Sequence, residues 1–182
     1  EMFPQAELYF LTFRRNRYAI DILDLIPTEN VLTISDDNIV NFLQTTKGVI
    51  KKLRKERLSA VIDMEFFARF TALISYFSSA NSRVGYFKFH NEGLYRGNFL
   101  THRVSFNPHI HISYNLLNLI YALNFDQKDI PLAKRPVDEK DIFIPKMKSS
   151  LDKKNEILTQ LNNENPDVSN ARELILINPN AS

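Results

Sequence analysis

The sequence has no cysteine and no tryptophan, and only four glycines among its 182 residues. Without cysteine there is no disulfide, no thiolate metal site and no cysteine nucleophile, and the chain suits a reducing compartment. Few glycines, with eight prolines, point to long regular elements rather than a loop-rich scaffold. No stretch approaches the roughly 18 consecutive apolar residues of a membrane-spanning helix, and the opening Glu1-Met2-Phe3-Pro4 lacks the basic-then-apolar layout of a signal peptide. A net charge of only +2 falls short of the concentrated basic face of a phosphate-backbone binder, so no nucleic-acid partner is expected. Also missing are the glycine-rich dinucleotide fingerprint, the Walker phosphate loop and the G-x-S-x-G nucleophile elbow.

What is present is enough apolar material for one α/β-sized domain: 44% hydrophobic residues, 14 Phe and 7 Tyr, against 24% charged. Glu7 to Phe13, Asn30 to Ser35, Leu58 to Met64, Arg83 to Tyr86 and Leu100 to Phe106 read as short buried strands. Between them, helical spacing is expected over Asn16 to Leu25, over a long amphipathic segment after the capping trio Asp36-Asp37-Asn38, over Glu65 to Ser78 and over His109 to Leu123. In the long helix, Ile39, Leu43, Val49, Ile50 and Leu53 are expected on the inner face, with lysines and arginines gathered at the C-terminal end. Strand and helix in alternation predict a parallel sheet flanked by helices. From Asn124 to Pro145 the composition changes to that of a connector, with a short strand at Ile142-Phe143-Ile144. A polar helix over Ser149 to Asn163, a turn over Asn162 to Asn170 and a last strand at Leu174 to Ile177 follow.

All four histidines lie between Arg83 and His111, with Arg83, Lys88, Arg96 and Arg103 and with Glu92 as the one carboxylate. This clustering suggests a cationic surface for an anionic ligand such as a phosphorylated sugar; a solvated loop is the plainer alternative. His109 and His111 invite a metal reading, but residues two apart on a helix diverge by about 200°, so capping a helix or meeting a ligand oxygen fits better and no metal is expected. Asp63, Glu65 and Arg69 stand where a strand gives way to a helix, which is where ligands bind in doubly wound sheets. Glu65 and Arg69 are also spaced as a helix-surface ion pair, and Asp63 as a helix cap.

The block from Ser59 to Leu73, SAVIDMEFFARFTAL, resembles the strand-helix unit of glycosyltransferase family 9, which includes the ADP-heptose:lipopolysaccharide heptosyltransferases and shows a D-x-v-I-D strand followed by a basic residue in the next helix. Ser82 to Tyr86 is similar to the family's short R-x-G strand, and His102 to His109 to the loop whose histidine precedes a long helix. Leu176 to Ser182, LINPNAS, resembles the h-P-G-A-S turn that opens the donor-binding domain, with Asn180 in place of glycine. His90 to Gly97 has no counterpart in the family's pattern.

The resemblance implies a GT-B fold of two Rossmann-like domains and metal-independent, inverting transfer of a sugar, heptose by analogy, to a lipopolysaccharide-core or related glycan. No cofactor is implied. Residues 1–145 would be the acceptor-side domain lacking its first strand, and 146–182 an interdomain helix with the first strand of the donor domain. The family's catalytic Asp would lie upstream of Glu1, so these residues alone are expected to be inactive. The resemblance makes Asp63, Glu65, Arg69, Arg83, Arg96, His102 and His109 the substrate-binding set, to which the basic cluster adds His90. An ADP-heptose-like donor would bind through a C-terminal domain beyond Ser182. The acceptor would be a lipid-linked or phosphorylated glycan, and the place of action cytoplasmic, peripheral to the inner membrane. The competing expectation is a non-catalytic Rossmann-like domain that binds an anionic glycan.

Overall fold

The computed structural model describes residues 3–66, 68–88, 96, 98–131, 142–143, 145 and 150–170. Five of the expected strands form, β1 (Phe10–Phe13), β2 (Val31–Ile34), β3 (Ala60–Asp63) and β5 (His102–Ser105) each a little shorter than its apolar run and β4 (Ser82–Lys88) longer than the expected Arg83 to Tyr86. The helices between and after them are α1 (Arg17–Leu23), α2 (Ile39–Lys55), α3 (Arg69–Phe77) and α4 (Ile112–Tyr121). All pairing is parallel, as β-α-β connections require. The strands nevertheless make two sheets, β1-β2 and β3-β4-β5, because among the described residues β1 pairs only with β2 and β3 only with β4. β1 and most of β3 are half-buried, whereas β2 and the middle of β4 are buried.

Local chemistry explains the helix boundaries. Asn38 opens α2 by accepting a hydrogen bond from the Asn41 amide at 2.9 Å, and Lys52, Arg54 and Lys55 in its last turn oppose the negative helix end. The inner face of α2 differs from the expected stripe. Val49 and Leu53 are buried and Phe42 is half-buried, but Ile39 and Leu43 are 69% and 60% exposed. Phe42 takes the inward place because its ring meets Phe70 of α3 at 4.8 Å between centroids. The predicted helix from Glu65 starts only at Arg69, because Asp63 first folds the chain into a turn by accepting the Glu65 amide at 3.1 Å. Glu65 therefore precedes the helix, and the i,i+4 geometry expected with Arg69 is not formed.

Two apolar clusters hold these elements. In the first, Leu32 and Ile34 of β2 meet Val49 and Leu53 of α2 and Ile74 of α3, with Leu11, Phe13, Phe42, Leu58 and Phe70 around them. The Arg54 Nε also donates to the Phe77 carbonyl at 2.7 Å, tying α2 to α3. In the second, Val84, Tyr86 and Val104 of β4 and β5 pack on Leu119 and Ala122, and the rings of Phe66, Tyr86 and Phe106 meet pairwise at 5.0 to 5.6 Å.

The chain divides into two compact units, Glu1–Ile144 and Pro145–Ser182. In the second, Ser150 caps α5 (Leu151–Glu164), and a 3-10 turn at Pro166–Asn170 replaces the plain turn expected there. Residues 142 and 143 carry no strand pairing, and the strand expected at Leu174 to Ile177 lies outside the described residues.

Two glycines with opposite surroundings test this packing. A Cβ on Gly85 would meet Leu100 Cδ1 at 3.2 Å and the Asp63 Cβ and carbonyl at 3.3 Å, whereas one on Gly48, inside α2, meets nothing within 4 Å. Urea denaturation should find Gly48→Ala more stable by about 1 kcal/mol and Gly85→Ala less stable, in the range of about 1 to 3 kcal/mol.

Candidate functional site

At the carboxyl end of β3 the structure builds a buried polar junction. Asp63 and Arg96 form an ion pair with side-chain exposures of 3% and 1%. The Arg96 guanidinium donates through Nη1 to the carbonyls of Glu65 at 2.7 Å and Tyr86 at 3.3 Å, and through Nη2 to Asp63 and to Thr71 Oγ1 at 2.6 Å. One side chain thus joins β3, the turn after it, β4 and the first turn of α3. Its Nε has no partner among the described residues, and neither does the buried Tyr86 hydroxyl, whose pKa is pushed up by burial. Burial also pushes the Asp63 carboxyl up, while the Arg96 charge, the Glu65 amide and Thr71 pull it back only in part.

This placement revises one expectation from the sequence. Arg96 sits within the basic cluster read as a surface or solvated loop, yet its guanidinium is inside the domain, because the carboxylate of Asp63 and two backbone carbonyls provide the acceptors it needs there. Neither member of the pair is left open to a ligand. The exposed groups around the junction are Glu65, whose Oε1 accepts the Phe66 amide at 3.1 Å, and Arg69 at the start of α3. His109 lies exposed on a turn beyond β5, at the same end of the sheet, its amide bonded to Asn107 Oδ1 at 2.9 Å. His111 caps α4, as its position before the helix suggests, by accepting the Ser113 amide at 3.3 Å.

Arg83 and His102 separate from this group, because Arg83 is second in β4 and His102 first in β5, so both lie at the amino end of the sheet. Arg83 donates to the carbonyls of Phe99 at 2.7 Å and Ala80 at 2.6 Å and lies over the Tyr76 ring. His102 is buried, with Nδ1 2.9 Å from Thr101 Oγ1. Burial lowers its pKa; a hydrogen bond with the Phe125 backbone and the charge of Asp126 oppose this. Both residues border an open groove of about 680 Å³ shared with Arg103, Phe125 and Lys128. His90 lies outside the described residues.

Arg14, Arg15, Asp36 and Asp37, which the sequence reading did not single out as ligand-facing, also stand at the carboxyl ends of strands. Arg14 pairs with Asp37 at 3.5 Å and Arg15 with Asp36 at 3.0 Å. Their signal was the one used for Asp63 and Glu65, polar residues directly after an apolar strand. Each sheet thus presents exposed guanidinium and carboxylate groups at its own carboxyl end, chemistry able to hold a hydroxyl-rich ligand by donating to and accepting from it. No three His, Asp or Glu side chains converge as metal ligands among the described residues. No family model, curated protein or solved structure matches the chain.

Removing one partner of the buried pair leaves the other charge uncompensated. Arg96→Met and Asp63→Leu are each expected to destabilise the protein by about 3 to 5 kcal/mol, and the double variant by less than their sum; additive losses in thermal melts would refute the pairing. His102 is folded preferentially in its neutral form, so its stabilising contribution is complete above the unfolded value of 6.5 and is lost as pH falls through the lower folded value. Between pH 7.5 and pH 5 the parent should lose stability, and His102→Gln should show a shallower loss.

Proposed function

We propose that this chain is the acceptor-side part of an inverting, nucleotide-sugar-dependent glycosyltransferase. The observation that carries the reading is the strand order. In a doubly wound sheet the strands run outward from a central strand in both directions, in the order 3-2-1-4-5-6. The two sheets β1-β2 and β3-β4-β5 would fill the places 3-2 and 4-5-6 with a strand in place 1 pairing with both β1 and β3. The half-buried state of those two strands accords with a central strand being the missing partner. This is the acceptor-side arrangement that the resemblance to glycosyltransferase family 9 implies.

On this reading the acceptor lies over the carboxyl end of the sheets, where Arg69 contacts a phosphate or carboxylate of the glycan and Glu65 accepts from its hydroxyls. The acceptor oxygen gives up its proton to a carboxylate base and bonds to the anomeric carbon, while the bond from that carbon to the nucleoside diphosphate breaks on the opposite face. The base and the donor site belong to the resemblance, outside these residues. Asp63 is not the base, because Arg96, Thr71 and the Glu65 amide occupy its carboxylate. That commitment also favours the second reading, a binding domain that holds an anionic glycan without turning it over.

Calorimetric titration separates these readings from others. A phosphorylated core oligosaccharide should bind, Arg69→Ala should weaken it at least about tenfold through loss of a charge-assisted contact, and ADP-linked sugars should not bind. Tight binding of a nucleotide sugar would place the donor site within this chain and end the acceptor-side reading.

A further inference from the structure

Helix α2 presents two chemistries to solvent on one face. Ile39, Val40, Leu43, Lys47, Lys51 and Lys55 lie within an arc of about 160° at 3.6 residues per turn, opposite the buried Val49 and Leu53. The three apolar side chains are 69%, 57% and 60% exposed. A single exposed leucine is ordinary, but three on adjacent turns form a patch. Lys47, Lys51 and Lys55 continue the row one turn apart, all exposed, and none enters an ion pair among the described residues. The acids just before the helix, Asp36 and Asp37, are held by Arg15 and Arg14. Glu56, after Lys55, is the one acid at the basic end.

We infer that α2 is an interfacial helix whose outer face docks on an anionic bilayer. Ile39, Val40 and Leu43 enter the boundary between headgroups and acyl chains, and the lysine row lies against the headgroup phosphates. The composition of the face selects this partner. A nucleic acid would match the lysines and leave the apolar triad in water, and an apolar protein groove would do the reverse. An anionic membrane surface offers both environments within the roughly 24 Å that the row spans. The apolar end follows directly from the carboxyl end of β2, so docking sets the β2–α2 connection beside the membrane surface. The inference does not rest on the glycosyltransferase reading, since no sugar takes part in the contact.

Vesicle sedimentation tests it without any glycan. The protein should sediment with mixed phosphatidylcholine and phosphatidylglycerol vesicles, release as salt is raised, and stay in solution with phosphatidylcholine alone. Replacing Lys47, Lys51 and Lys55 together by Ala should weaken binding on the order of a hundredfold, about fivefold for each charge. Ile39→Ser with Leu43→Ser should weaken it at least about tenfold. All five positions are exposed, so the variants should keep the circular dichroism of the parent. Failure of the parent to bind anionic vesicles, equal binding to neutral ones, or undiminished binding by both variants would overturn the proposal. So would tight binding of a DNA duplex that needs the lysines but not Ile39 and Leu43.

Discussion

The contact on which the carboxyl end of the larger sheet depends is the burial of one guanidinium against one carboxylate. Arg96 stands 33 residues beyond Asp63 in sequence, and the pair costs free energy to desolvate before it returns any. It persists because the guanidinium also satisfies two backbone carbonyls and a threonine hydroxyl, acceptors that would otherwise be left without a donor where the strand ends. Gly85 fits the same logic, since its missing side chain leaves room for the Asp63 backbone and for Leu100. The polar junction and the close approach of β3 to β4 are one construction.

Much of the fold could be read from the sequence, because it rests on local regularities. Apolar runs such as Asn30 to Ser35 became strands, Asn38 capped the helix that its position announces, and alternation of strand and helix predicted parallel pairing. The failures came where a distant partner decided the outcome. The helix expected from Glu65 was delayed to Arg69 by the turn at Asp63, and Phe42 displaced Ile39 and Leu43 from the inner face because of Phe70 on another helix. Helical spacing cannot show which of two neighbouring apolar stripes has a partner.

The candidate site was legible in part for the same reason. Asp63, Glu65 and Arg69 were picked out by their place after a strand, and that place is where the structure puts them. Arg83 and His102 group with them by nearness in sequence and by charge, but each stands at the start of its strand, second in β4 and first in β5, and the two ends of a strand face opposite sides of the domain. Composition gave no warning that Arg96 would turn inward, since only the fold brings Asp63, Glu65, Tyr86 and Thr71 around it. Arg14 and Arg15 obey the same rule as Glu65, polar residues directly after an apolar strand.

The division of the strands into two sheets also bears on how the domain opens. Each sheet is made from a continuous stretch of chain, residues 10–34 for one and 60–105 for the other, and no ladder hydrogen bond joins β1 to β3 among the described residues. The link between them is side-chain packing and the contact of α2 with α3. The coupling between the two sheets therefore runs through the side chains of β2, α2 and α3. Loosening that packing would let one sheet shift against the other with every ladder hydrogen bond kept.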